Sequence, residues 1–358
     1  MAQTLRITEP GPLIESTLYP KITNHIQEVV KTLRWQHRDP ENPEKEVVLE
    51  PIPIVGTVKL HGTHADILIY SDNQIVLQSR NKTHLQTTAD NQGFAAAMSR
   101  KSHTLLSLRN RYQERWKQLN PNAKLDTSKP IIIAGEWIGE KIQKGVALVH
   151  LSKRLVIISA KINGEWVNDE QYGNIYDEPN GIYNISRAGF YHATLYPENQ
   201  QQTIDELDKL AEAVAAKCPF AETFGLTGEG EGIVWKLVPY IDNADLWFKT
   251  KGGKFKPTFT PAPKKPAEGT SEKWEAAASV AKAWCSEQRL EQGWDVLREK
   301  GIERNMKGIG EFLKWVREDI LVEEKGYIEE NAVDESVLKV EITRIAKGWY
   351  VERYGKGD

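Results

Sequence analysis

The segment KPTFTPAPKKPAEGT, residues 256–270, divides the chain into two parts that cannot share one architecture. It holds four of the 17 prolines, and proline neither donates a backbone hydrogen bond nor continues a helix, so regular helix and central strand are excluded there. A linker is expected. Before it, short β-branched runs alternate with turn residues: VVLEPIPIVGTVKL, ADILIYSDNQIVLQSR, PIIIAGEWIG, KRLVIISAKINGEW, EGIVWKLV and LWFKTK. Several carry the Asp-Asn or Asn-Gly pair that marks a hairpin. Helical spacing is interspersed over residues 22–38, 102–119 and 203–217, the last with Ile204, Leu207, Leu210, Ala211 and Val214 on one face. Past the linker the period becomes helical throughout, as in Ile309, Phe312, Leu313, Val316 and Ile320 and again in Leu338, Ile342, Ile345 and Trp349. The pattern predicts an α+β fold with largely antiparallel sheets over residues 1–255, the linker over 256–270, and a small all-helical domain over 271–358. Five of the 11 tryptophans fall in that last part and are expected to fill its core.

Composition excludes several function classes. Of the 358 residues 40% are hydrophobic and 27% charged, and no apolar run approaches the ~18 residues of a membrane span, so no membrane partner is expected. The start, MAQTLRITEPGPLIES, lacks the basic flank and apolar stretch of a secretory signal, which suggests an intracellular, cytoplasmic protein. Cys218 and Cys285 stand far apart with no Cys/His cluster, which argues against zinc, a disulfide framework or redox chemistry. The net charge of −3 argues only weakly against a protein that coats nucleic acid, since residues 1–270 are neutral overall with 32 Lys and Arg against 31 Asp and Glu. Residues 271–358 carry 15 Lys and Arg against 19 Asp and Glu, so that domain is no basic clamp, and anion binding must come from local clusters.

One such cluster is conspicuous. Between Leu246 and Pro266 there are six lysines and no acidic residue. A solvated basic edge explains Lys254, Lys256, Lys264 and Lys265. Lys249 and Lys251, two apart on a strand and bracketed by Trp247, Phe248 and Phe255, share one face and suit a phosphate. Upstream, VKLHGTH places Lys59 before His61-Gly62. Lys59 is a candidate nucleophile that must be neutral to attack, and Gly62 would let the backbone approach a phosphate closely. If Lys249 and Lys251 lie beside it, their charge would favour the free amine. Glu231 in GEGEGIVWK and Glu136 in IIIAGEWIG each put a carboxylate beside an apolar strand, where it needs a lysine or a hard divalent cation as partner.

In this order, KLHG at 59–62, SRNK at 79–82, GEW at 135–137, EGIVWK at 231–236 and KTK at 249–251 resemble the covalent nucleotidyltransferase superfamily. Within it the chain looks like the ATP-dependent RNA ligase branch that includes phage double-strand-type RNA ligases and RNA-editing ligases. The resemblance covers roughly residues 19–255, and five ordered motifs are far more specific than any one of them. A nucleotidyltransferase (adenylyltransferase) domain is thereby implied, sealing RNA 3′-OH and 5′-phosphate ends through a lysyl-AMP intermediate. Lys59, Lys249 and Lys251 would be catalytic, the two latter holding the α-phosphate of ATP, with His61 and Gly62 at the nucleotide and Glu136 on its ribose. Glu231 would serve Mg²⁺ or Mn²⁺, and Arg80 would contact a phosphate or RNA. The chain departs from the family in Val58 and His64, and in offering VIIS at 156–159, with Ile158 against the base, where relatives stack an aromatic ring. The expected partner is nicked or bridged RNA, bound by a monomer. The alternatives are a DNA ligase or a catalytically idle RNA-binding homologue.

Overall fold

A computed structural model describes residues 17–42, 44–88, 90–256 and 270–355, leaving the side chains of 270–273 and 330 undescribed. The N-terminal MAQTLRITEPGPLIES and most of the expected linker, Lys264 and Lys265 included, lie outside the described residues. The strands are β1 (Ile52–Lys59), β2 (Thr63–Ile69), β3 (Ile75–Gln78), β4 (Ile131–Ile138), β5 (Arg154–Ile162), β6 (Glu165–Trp166), β7 (Ile182–Asn184), β8 (Tyr191–Leu195), β9 (Gly232–Leu237) and β10 (Phe248–Lys251). The helices are α1 (Ile26–Gln36), α2 (Phe94–Met98), α3 (Ser102–Leu119), α4 (Gln200–Ala216), α5 (Pro219–Glu222), α6 (Thr270–Trp284), α7 (Glu287–Glu299), α8 (Ile309–Glu323), α9 (Lys325–Glu330) and α10 (Glu335–Gly355).

The strands form two sheets, one ordered β10-β9-β1-β8 and the other β3-β2-β4-β5-β6, with β7 joined to β5 as the parallel exception. The α+β expectation with antiparallel sheets is met. Alternation decides which face of each sheet is covered. In the first, Ile54, Val58, Ile233, Trp235 and Phe248 point outward into a core completed by Val29, Val30 and Leu33 of α1 and Leu207 and Val214 of α4. In the second, Ile67, Ile69, Ile131, Ile133 and Leu155 pack against Leu105, Leu108 and Tyr112 of α3. The opposite faces look toward each other across the space where the motifs lie.

One irregularity shapes that space. Ala134 pairs with Ser159, but Gly135 pairs with Ile157, so Ile158 is an extra residue on β5. Such a bulge re-aims the side chains beside it. Leu155 and Ile157 belong to the α3 core before it and Ala160 and Ile162 after it, which is a change of parity along the strand. At the other end of β5, Asn163 and Gly164 both have positive φ (59° and 87°), as a tight hairpin with Asn-Gly requires.

Two boundaries differ from expectation. The first helix begins at Ile26 rather than 22, because Thr23 is drawn onto the edge of β10, where its carbonyl accepts from Lys249 N–H at 2.9 Å. The strands β7 and β8 were not anticipated; three and five residues long, they follow Gly- and Asn-rich turns that mask their alternation. The helical part has its own core, in which Phe312, Val316, Ile320, Leu338, Ile342 and Tyr350 are fully buried and Trp284 and Trp294 nearly so. Trp274, at 43% exposure, is the exception to the expected tryptophan core. Among the described residues no helix is long and apolar enough to cross a membrane.

Candidate active site

Lys59 ends β1 and stands opposite Gly232 of β9, which stands in turn opposite Lys251 of β10. The register therefore brings the two lysines to either side of the segment that carries Glu231. Glu231, 1% exposed, accepts from Lys59 Nζ at 2.6 Å and from His61 Nδ1 at 3.2 Å through one oxygen, and pairs with Lys251 Nζ at 3.2 Å through the other. Burial alone would raise its pKa, but Lys59, Lys251 and His61 together hold its carboxyl well below the usual range. Burial pushes Lys251 down, and Glu231 and Glu323 more than offset it, so its ammonium lies above the usual lysine range. For Lys249 burial wins and the group is lowered, with Glu323 opposing.

Gly232 is glycine because nothing else fits. A Cβ there would lie 2.0 Å from the Thr250 carbonyl oxygen and 2.9 Å from Lys251 Cα, both backbone atoms of the neighbouring strand. Gly232→Ala is expected to spread β9 from β10 and to cost about 1–3 kcal/mol or more. A lower urea midpoint at unchanged slope would show it; an unchanged midpoint would mean the strands part freely.

Between the sheets lies a cavity of about 390 Å³, within the range of small-ligand sites. The first sheet contributes Thr57, Lys59, Val234 and Lys249; the second contributes His64, Glu136 and Ile158, the last from its bulge. Arg80 also lines it, with its guanidinium donating to the Tyr19 carbonyl. Glu136 Oε1 accepts from Gly62 N–H at 2.9 Å, and burial pushes its pKa up, with Lys59 and His64 recovering only part. A Cβ on Gly62 would meet the Trp137 carbonyl oxygen at 2.5 Å, so the turn after Lys59 packs directly on β4.

Some expectations shift. His61, Glu231 and Lys251 do not line the cavity; His61 is buried between Glu231 and the Phe255 ring, 5.0 Å away, and donates to the carboxylate that pairs with Lys59. Lys249 and Lys251 do not flank Lys59 alone, since Glu231 stands between. Trp247 and Phe248 are core residues, the former packed on Tyr19 and Trp166. The structure also buries a charge outside the expected set. Lys236 donates to Asp169 at 2.6 Å and Ser159 at 2.9 Å, with its ammonium 3.9 Å from the Trp247 ring centre, and so ties β9 to β5 across the back of the cavity. It was legible only as the last letter of EGIVWK. The departures at 58 and 64 find different uses. Val58 packs in the α1/α4 core, and His64 Nε2 donates to the fully buried Asp66 at 2.7 Å, which also accepts from Gln78.

Residues 52–251, more than half of the chain, match a family model described as RNA ligase. The chain belongs to the RNA ligase family. All five motif segments lie inside the matched residues. Among solved structures, this RNA ligase family member is similar to Naegleria gruberi RNA ligase: a variant with ATP and Mn (15% identity, TM-score 0.39, 67% of this chain and 57% of that one) and the enzyme with PPi (15%, 0.38, 68% and 62%). The chain thus spans under two thirds of the length of these relatives. Among curated proteins no match was found.

Proposed function

We propose that the protein is an ATP-dependent RNA ligase that joins 3′-OH and 5′-phosphate ends, with residues 1–255 as its nucleotidyltransferase domain and 271–358 as an appended helical domain. The observation that carries this is that Lys59 and Lys249 line a nucleotide-sized cavity, with Glu231 and Lys251 directly behind Lys59. Phosphoryl transfer asks for an in-line nucleophile and charge neutralisation more than for covalent assistance, and Lys59 with the Lys249 ammonium beside it supplies both. Lys59 gives a proton to solvent, leaves Glu231 and forms a bond from its neutral Nζ to the α-phosphorus of ATP. The bond from that phosphorus to the β-phosphate bridge breaks, and pyrophosphate departs. Lys249 faces the charge that develops on the phosphate, and Lys251 holds Glu231 as Lys59 lets go. Glu136 accepts from ribose hydroxyls, Ile158 and Val234 flank the base, and Arg80 stands where the polynucleotide enters. The AMP then passes to an RNA 5′-phosphate, and a 3′-hydroxyl displaces it to seal the strand.

Among the described residues no three His, Cys, Asp or Glu side chains gather to hold a metal, so a cage made of protein alone does not fit. Glu231 is buried behind the cavity with both oxygens engaged by Lys59, His61 and Lys251, so its carboxylate would be reached by a hydrated Mg²⁺ or Mn²⁺ only once Lys59 has left it. Bound there, it would neutralise phosphate charge.

The test is to strip the protein with pyrophosphate, then offer Mg²⁺ with α-labelled ATP or, separately, GTP. Alkali-stable, acid-labile label from ATP alone is expected, as for a phosphoramidate, followed by its transfer to a nicked duplex with ribose at the 3′-OH side. Label from GTP alone would point to a capping-type reaction. Sealing that ignores the sugar would favour a DNA ligase, and no label at all would leave an idle RNA-binding protein.

A further inference from the structure

The cavity has a second wall, and it is acidic. The helices α7 and α8 contribute Asp295, Glu299, Glu318, Asp319 and Glu323 to the lining, opposite Lys59 and Lys249. Glu323 goes furthest: its Oε1 accepts from Lys249 Nζ at 2.8 Å, with only 7% of the lysine and 17% of the glutamate side chain exposed. Other ion pairs between the two parts have the same polarity. Lys21–Asp319 (3.8 Å), Lys31–Glu329 (3.8 Å) and Lys144–Glu291 (3.7 Å) each take the basic partner from the β-rich part and the carboxylate from the helical part, and His25 Nε2 lies 2.9 Å from Glu324.

The acidic face is also held in shape from behind. Arg289 of α7 pairs with Asp319 at 3.1 Å, Glu323 at 2.8 Å and Glu324 at 3.3 Å, and its rigid fork fixes the three carboxylates relative to one another. Burial would push Glu323 up, but Lys249, Lys251 and Arg289 hold it well below the usual carboxylate range. An anionic oxygen at hydrogen-bond distance from a buried ammonium is the arrangement a phosphate oxygen would adopt. A triphosphate entering beside Lys249 would face these carboxylates at short range in a poorly solvated space, where like charges repel strongly.

We propose that Glu323 and the acidic α7–α8 face around it occupy the phosphate site of the cavity, so that nucleotide phosphates and this face compete for Lys249 and the binding of one releases the other. The inference rests on reading the cavity as a nucleotide site and adds to it a built-in competitor. Phosphate binding is then coupled to departure of the helical part, because among the described residues the Lys249–Glu323 pair is the most buried of the lysine–carboxylate pairs that hold this face to the β-rich part.

Inorganic tripolyphosphate is the probe, since its binding needs no catalysis. Calorimetry on the full chain should find it bound on the order of ten- to a hundredfold tighter by Glu323→Gln than by wild type, the scale of one charged hydrogen bond. Equal or weaker binding by a variant whose circular dichroism matches wild type would overturn the proposal. Release is read independently in the wild-type background. Cys218 and Cys285 are buried, so dyes on Lys117→Cys and Lys347→Cys, both at exposed positions, report the separation of the two parts. Energy transfer should fall as tripolyphosphate binds; constant transfer would overturn the coupling. Labelling with ATP separates the two readings. If the chain takes no label while the tripolyphosphate results hold, the ligase reading falls and the competition stands. If it takes label while wild type and variant bind tripolyphosphate alike, the competition falls alone.

Discussion

Lys59→Ala protein given α-labelled ATP and Mg²⁺ should acquire no label above background, a loss on the order of 10⁴-fold or more, as expected when the nucleophile of a covalent mechanism is removed. Its fold should survive. Lys59 sits at the end of β1 with 22% of its side chain exposed, and Glu231 keeps Lys251 and His61 as partners when Lys59 is gone. A near-normal urea midpoint together with absent label would place the effect in chemistry. Label retained by the variant would show that another residue takes the AMP and would remove Lys59 from the mechanism.

Glu231→Gln should do the reverse in proportion: loss of label and a large loss of stability as well. The carboxylate is the shared counter-ion of two lysines and the acceptor of a buried imidazole. Breaking a buried ion pair by removing one partner costs roughly 3–5 kcal/mol, because the remaining charges stay desolvated without compensation. The acid dependence follows the same logic. A carboxyl whose folded pKa lies below its unfolded value adds stability that is full above the unfolded value, near 4.5, and is lost as pH falls through the folded one. Wild type should therefore lose stability below about pH 4.5 more steeply than Glu231→Gln does. Parallel urea titrations between neutral and acid pH would decide it, and coincident pH profiles would mean that Glu231 contributes nothing through its charge.

Much of this site was legible in the chain because its parts are local. The turn after Lys59, the glycine beside Glu231 and the alternation that puts Lys249 and Lys251 on one face all follow from a few neighbouring residues. The hairpin at Asn163-Gly164 was readable for the same reason. What could not be read was set by contacts between distant segments. Nothing in VIIS announces that Ile158 is a bulge, since that depends on which residue of β4 it fails to meet. Nor does the amphipathic pattern of α8 distinguish Glu323 from any other carboxylate on a solvated face, although it lands on a lysine 74 positions earlier. The turn of the His61 ring onto Glu231 could not be read either, because a motif gives the order of residues and not the direction of a side chain.

The three-strand alignment of Lys59, Gly232 and Lys251 has a practical consequence. Side chains alternate with a period of two, so a slip of one residue between β1 and β9 would carry Lys59 to the opposite face, away from Glu231. A mispaired molecule could still be compact and soluble while unable to accept a nucleotide. On the proposed mechanism, the moles of AMP bound per mole of pyrophosphate-stripped chain would then report the fidelity of strand pairing in a preparation, which scattering and gel filtration do not see.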